Sequence, residues 1–338
     1  MASRDPVSAA AVETLTPTEF RRVAGAIQQR VQAQIVGQAE AVRGGLICLI
    51  AGGHALLEGV PGLGKTTMVR AFAAALALEQ RRIQFTPDLM PADITGTTVM
   101  VEEPSRSPRL RFQPGPLFAN LVLADEINRA SPRTQSALLE AMQEGAVTLA
   151  GVSHPLPRPF CVMATQNPVE MHGTYPLPEA ELDRFFLKLR FEFPTPAELA
   201  TILTQATLPS PPAPPPVADS PLLQRMHRLV RQVPVASHVL DYVSRLVLAL
   251  QPHGAAAPMV RDFVRLGPSP RGAQALSLAG RVTALLGGRP NLAFEDVRAA
   301  AVPALRHRLV LTFDAVRHGV TPEAIIADAL DRVPEEAR

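Results

Sequence analysis

The eight residues Gly59-Val60-Pro61-Gly62-Leu63-Gly64-Lys65-Thr66 constrain this chain more than any other stretch, because they match the spacing G-x-x-x-x-G-K-[ST]. Glycines so placed let backbone N–H groups turn inward around an anion, and the helix that follows adds the positive end of its dipole. In such a loop Lys65 pairs with the β and γ phosphates of ATP and the Thr66 hydroxyl holds Mg2+, with Thr67 in the same contact set. The competing reading is a Gly-rich turn that contains Lys-Thr by accident, which average composition allows in roughly one chain in a hundred of this length. Lys65 and Lys188 are the only lysines here, and 31 of the 33 basic residues are arginine. The accident therefore falls to roughly one in a thousand on the same arithmetic. The flanks agree. Ala55-Leu56-Leu57 has strand character, and Met68, Val69, Phe72, Ala73 and Leu76 repeat with helical spacing.

Phe20, Val23, Ile27 and Val31 lie three or four apart, so the spacing predicts a helix from Thr16 through Arg30. Strands are expected at Ala55–Leu57, Ile83–Thr86, Leu121–Ala124, Phe160–Ala164 and Phe186–Phe191, with helices between them. Leu121–Ala124 is apolar at every position, as a strand covered on both faces of a parallel sheet must be. Alternating strand and helix gives a doubly wound α/β domain. The run LPSPPAPPPV at Leu208–Val217 suits a semi-rigid polyproline spacer. Beyond it Leu222–Val233, Val239–Leu250, Gly272–Leu286 and Phe294–Leu305 read as helices with no strand pattern, so a second, all-helical domain is expected. The division is residues 1–14, a flexible tail; 15–206, the α/β core; 207–219, the Pro-rich linker; and 220–338, the helical domain.

Asp125-Glu126 follows the apolar strand, which aims both carboxylates out of the carboxyl edge of the sheet, where ligands of such folds bind. Asp125 would hold Mg2+ through water, and Glu126 would activate the attacking water. Asn167 ends a neighbouring apolar stretch; its amide would contact the γ-phosphate and that water, and a plain Asn-Pro turn fits the spacing equally well. Ser131-Pro132-Arg133 and Ser269-Pro270-Arg271 each put an arginine at a helix start, against the helix dipole, at a cost of about 0.3–1 kcal/mol. Arg271 in the helical domain could clamp a γ-phosphate. Arg184 either pairs with Asp183 or Glu181 or reaches a neighbouring subunit's phosphate; spacing does not decide between them.

Net charge is +2, so no overall field drives binding to nucleic acid. Cys48 and Cys161 lie in apolar surroundings with no metal or disulfide spacing, and no apolar run approaches the roughly 18 residues of a membrane span. A cytoplasmic location is expected.

Five stretches together resemble the MoxR family of AAA+ ATPases: LLEGVPGLGKT (Leu56–Thr66), FTPDLMPADITG (Phe85–Gly96), FQPGPLFANLVLADEINRASPRTQSALLEAMQE (Phe112–Glu144), ATQNP (Ala164–Pro168) and GTYPLPEAELDRFF (Gly173–Phe186). The resemblance runs from about Ile35 to Phe193, with a weaker echo to about Leu311. It implies a P-loop NTPase core of the AAA+ type with a helical lid, a ring of identical subunits, expected to be hexameric, and ATP hydrolysis at the subunit interfaces. By position it makes Lys65 and Thr66 Walker A ligands, Asp125 and Glu126 the Walker B pair, and Asn167 sensor 1. Arg184 becomes an arginine finger acting in trans and Arg271 sensor 2 acting in cis. It further implies chaperone-like maturation of a protein client, including metal or cofactor insertion, often with a von Willebrand factor A domain partner. Two departures concern the length of the Pro-rich spacer and the N-terminal tail. Thr86–Phe118 resembles an insert projecting toward the ring's pore or upper face, and its Leu89, Met90, Ile94, Leu110 and Phe112 are expected to form a surface that grips the client; ordinary packing against the core explains these residues equally well. A nucleic-acid motor and a metal-chelatase-like motor subunit are the competing functions; the first needs a basic pore and salt-sensitive DNA binding.

Overall fold

The structure, a computed structural model, describes residues 15–101, 109–167, 174–207, 214–253 and 257–336. The tail 1–14 and the first part of the Pro-rich spacer, residues 208–213, lie outside them. Helix α1 (Pro17–Gln32) is entered through a capping box in which Thr16 and Glu19 satisfy each other's backbone N–H groups. Helix α2 (Ala39–Ala51) is buried along most of its length; beyond Arg43 it is apolar on every side and carries no amphipathic stripe for a periodicity to mark. There follow β1 (Ala55–Glu58), α3 (Lys65–Ala75), β2 (Gln80–Gln84) and α4 (Pro91–Thr95), then an antiparallel hairpin of β3 (Gly96–Val101) and β4 (Arg109–Pro114). Next come β5 (Leu121–Asp125), α5 (Pro132–Glu144), a second hairpin of β6 (Ala146–Leu149) and β7 (Val152–Pro155), β8 (Cys161–Gln166), α6 (Glu179–Leu182), β9 (Leu187–Arg190) and α7 (Pro196–Ala206).

Five of these strands form one parallel sheet in the order β2-β5-β8-β1-β9. Successive residues of each central strand serve opposite faces. Leu121 and Leu123 join a core with α1, α2 and α3, while Val122 and Ala124 join one with Leu138 and Leu139 of α5. This two-sided burial accounts for the unbroken apolar run in β5. The strand expected at Ile83–Thr86 lies instead at Gln80–Gln84. At that sheet edge only Ile83 is buried, and the exposed Arg81 and Arg82 carry no apolar signal.

After the spacer, whose end is pinned where Val217 and Ala218 donate to the Ala75 carbonyl, come α8 (Ser220–Gln232), α9 (Ser237–Ala249) and α10 (Pro258–Phe263). Then follow β10 (Val264–Leu266), α11 (Pro270–Leu286), α12 (Phe294–Leu305), β11 (Val310–Leu311), α13 (Phe313–Arg317) and α14 (Pro322–Arg332). The helical expectation needs one correction: β10 and β11 pair antiparallel. At three and two residues they are too short to imprint an alternating pattern. The lid helices share one continuous apolar core with α1 and α2, so this domain packs on that side of the sheet.

Candidate active site

The sheet order sets β8 between β1 and β5, and the chain segments leaving these three strands meet at the carboxyl edge. There a cleft of about 360 Å³ is lined by Pro61, Gly62, Gly64, Lys65, Thr66 and Thr67 on one side and Asp125, Glu126, Thr165 and Asn167 on the other. Gly62 (φ 86°) and Gly64 (φ 92°) hold left-handed backbone that a side chain would strain, which is why the loop needs glycine there. Lys65 opens α3, and its ammonium donates to the carbonyls of Gly59 (2.5 Å) and Val60 (2.8 Å), which keeps it at the loop's mouth. Partial burial lowers its pKa, and the carboxylates of Asp125 and Glu126 oppose that shift.

The two carboxylates are held firmly. The Thr165 hydroxyl donates to Oδ1 of Asp125 (2.6 Å) and accepts from the Glu126 backbone N–H (2.8 Å), which locks the end of β5 to the end of β8. Arg82 donates to Oδ2 of Asp125 from Nε (3.1 Å) and Nη2 (2.7 Å). Glu126 sits at φ 58°, ψ 50°, a left-handed conformation that costs a non-glycine residue on the order of 1–3 kcal/mol and is retained where surroundings enforce it. Its Oε2 accepts from Gln84 (2.7 Å) and Arg129 (3.0 Å). Gln84 and Thr165 stand beside Asp125 at the strand ends and were not singled out in the sequence, although polar residues ending apolar parallel strands were a usable signal. For Arg82 and Arg129 no pattern offered one. Asn167, buried, lines the cleft. Pro168 lies outside the described residues.

Arg184 and Arg271 do not border this cleft. They share a second one, of about 270 Å³, with His54, Met142, Asp183 and Arg308. Asp183 is engaged by Ser269 (2.7 Å), by Arg308 (2.8 Å) and, at 3.8 Å, by Arg271. Arg184 takes no part: its Nε is buried without a partner, and among the described residues no carboxylate pairs with it. The expected contact of Arg271 with its own chain's phosphates is not met by this geometry. The lid packs on the α1 and α2 side, and Ser269, capping α11, ties the head of that helix to Asp183.

Residues 54–187 match the protein family described as ATPase family associated with various cellular activities (AAA), and residues 256–329 match the AAA lid domain. Helices α8 and α9 fall between the two matches. The chain is 42% identical over 306 residues to Chaperone MoxR1 of Mycobacterium tuberculosis, covering 90% of this chain and 80% of that one. The chain belongs to the MoxR family of AAA+ ATPases. An uncharacterized protein of Bacillus subtilis, YeaC, is 41% identical over 311 residues, covering 91% of this chain and 93% of its own. A crystal structure of a candidate ATPase from Cytophaga hutchinsonii superposes with a TM-score of 0.87 at 32% identity, over 95% of this chain and 97% of that one. The family membership agrees with the P-loop core and the lid found here. Among the described residues no helix is long and apolar enough to cross a membrane.

Proposed function

We propose that this chain is the ATP-hydrolysing subunit of a ring, expected to be hexameric, in which each phosphate cleft is finished by Arg184 and Arg271 of the neighbouring subunit. The observation that carries this reading is that Arg184 and Arg271 line a cleft separate from the chain's own phosphate loop, and that among the described residues no carboxylate pairs with Arg184. The half-buried guanidinium of Arg184 carries no acidic partner, and a phosphate presented by a neighbour would supply one.

The residues of the first cleft fit magnesium ATP by their donor types. Mg2+ takes one or two protein oxygens plus phosphate oxygens, and Thr66 and Asp125 line the same cleft as the loop. Bound there, the ion would neutralise charge on the phosphoryl oxygens. Lys65 would exchange the carbonyls of Gly59 and Val60 for phosphate oxygens. Glu126, oriented by Gln84 and Arg129, would accept the proton of the attacking water, and Asn167 would orient that water.

Turnover would drive remodelling or maturation of a protein client, including metal or cofactor insertion, with a von Willebrand factor A domain partner, in the cytoplasm. The relative named as a chaperone supports this direction. Of the apolar residues between Thr86 and Phe118, Ile94 is buried, Leu89 packs on the core and Phe112 stacks on His154 with ring centroids 3.9 Å apart. Met90 remains exposed, and on the hairpin Met100 and Leu110 are 67% and 73% exposed, which makes these three the proposed grip. The test is ATP turnover per subunit over a dilution series. Specific activity should fall as subunits separate, and an activity independent of concentration down to the isolated monomer would refute a site shared between subunits.

A further inference from the structure

Arg308 follows α12 in the lid, yet its side chain is only 2% exposed and lies against the core segment that carries Arg184. Nε donates to Oδ1 of Asp183 (2.8 Å). Nη2 donates to the carbonyls of Asp183 (2.9 Å) and Phe185 (2.7 Å). Nη1 donates to the carbonyl of Phe186 (3.3 Å) and to that of Ala304 in its own helix. These bonds occupy all five guanidinium N–H donors and offset part of the cost of burying the charge, although desolvation still holds the Arg308 pKa below that of an ordinary arginine.

Three of the four backbone acceptors flank Arg184 on both sides. His307 adds a further bond, Nε2 to the Phe185 carbonyl at 3.0 Å. Burial, and then the charge of Arg308, keep this imidazole neutral, so Nε2 carries its single proton and donates. Ser269, at the head of α11, holds the other oxygen of Asp183. On the core side, the segment is anchored where the Phe186 N–H donates to the His54 carbonyl (2.8 Å). Arg184, whose own Nε has no partner, is therefore aimed by its backbone, and the backbone is gripped by the lid.

We infer that Arg308, assisted by His307, is the positioning residue for Arg184, so that the arginine offered to a neighbouring subunit moves with the lid. This rests on the proposal that Arg184 acts across subunits. It gives a lid displacement in one subunit a direct mechanical route to the adjoining phosphate cleft, because no flexible linker intervenes between Arg308 and the Asp183–Phe186 backbone.

The test uses Arg308→Lys, which keeps one positive charge and loses the planar fork that reaches three carbonyls of the Arg184 segment. A displacement of about 1 Å at a catalytic group costs up to about a hundredfold in rate, so kcat should fall by about tenfold to a hundredfold while the ATP dissociation constant stays within about twofold. Amide hydrogen exchange should rise over residues 183–187 and stay unchanged over α3. Mixed with Glu126→Gln, the variant should regain turnover, because its own phosphate cleft is intact and the other subunit supplies a well-placed Arg184. A structural staple alone would give neither the split between kcat and affinity nor the rescue. Arg184→Ala mixed with Glu126→Gln is run in parallel. Rescue there without rescue of Arg308→Lys overturns the inference; rescue in neither overturns the cross-subunit reading and the inference with it. An unchanged kcat in Arg308→Lys also overturns it. Should Arg308→Lys fail to fold, Asp183→Asn, which keeps the volume of the carboxylate and loses its charge, must show the same split and the same rescue.

Discussion

The phosphate cleft is built from the ends of adjacent parallel strands, its acceptors and donors lying within a few residues of an apolar run. The cleft holding Arg184 and Arg271 is assembled from lid and core segments, with bonds spanning 86 residues between Ser269 and Asp183 and 125 between Arg308 and Asp183. In the first the arginines, Arg82 and Arg129, are already bonded to Asp125 and Glu126; the second offers Arg184 and Arg271 and keeps its carboxylate, Asp183, occupied. A head-to-tail contact between two copies of one chain would bring the arginines of the second cleft to the first.

Four outcomes would sharpen or break this contrast. The largest is Arg184→Ala, which should lower kcat by about 10³-fold or more while leaving ATP affinity unchanged; lost affinity would mean that Arg184 serves its own chain's cleft. Glu126→Gln should bind ATP normally and lose about 10²–10⁴ in turnover, and a wild-type rate would remove Glu126 from the role of base. Lys65→Ala should weaken ATP binding by about ten- to a hundredfold, the value of a charge-assisted bond of about 1.5–3 kcal/mol. Arg271→Ala supplies its counterpart. Measured at concentrations where the protein is monomeric, ATP affinity should not change, whereas a loss would return Arg271 to its own chain's nucleotide.

The smallest effect concerns pH. Burial, followed by the charge of Arg308, holds the pKa of His307 well below that of an ordinary histidine, and burial also lowers that of His227. The unfolded chain takes up protons below about 6.5 that the folded chain refuses, so the stability these residues lend is complete above that pH and is lost on acidification. The thermal midpoint should fall on the order of a few degrees between about pH 7.5 and 5.5, and less in His307→Gln. A midpoint that rises on acidification would contradict the buried, neutral state of the lid contact.

Most of the phosphate cleft was legible because it is written locally. A loop that must cradle an anion needs glycine at set positions, and a strand buried on both faces must be apolar throughout before it delivers Asp125 and Glu126. The sheet edge was less legible, since β2 exposes Arg81 and Arg82, and the sequence placed that strand three residues late. Helix α2 and the β10–β11 pair went unread for opposite reasons, the first apolar on every side beyond Arg43 and the second too brief for a period. The Arg308 contact could not be read at all. Arg306-His307-Arg308 resembles a solvated basic turn until folding buries it against carbonyls 122 to 125 positions away. Arg82, which turned out to grip Asp125, gave no local sign either, because its partner lies on the next strand.

The most direct test of a site divided between subunits is to mix Glu126→Gln with Arg184→Ala, each inactive alone, and measure ATP turnover. Random assembly makes roughly a quarter of the junctions whole, each pairing an intact phosphate cleft with an intact arginine, so activity should return to a comparable fraction of wild type. A mixture as inactive as its components would contradict the division.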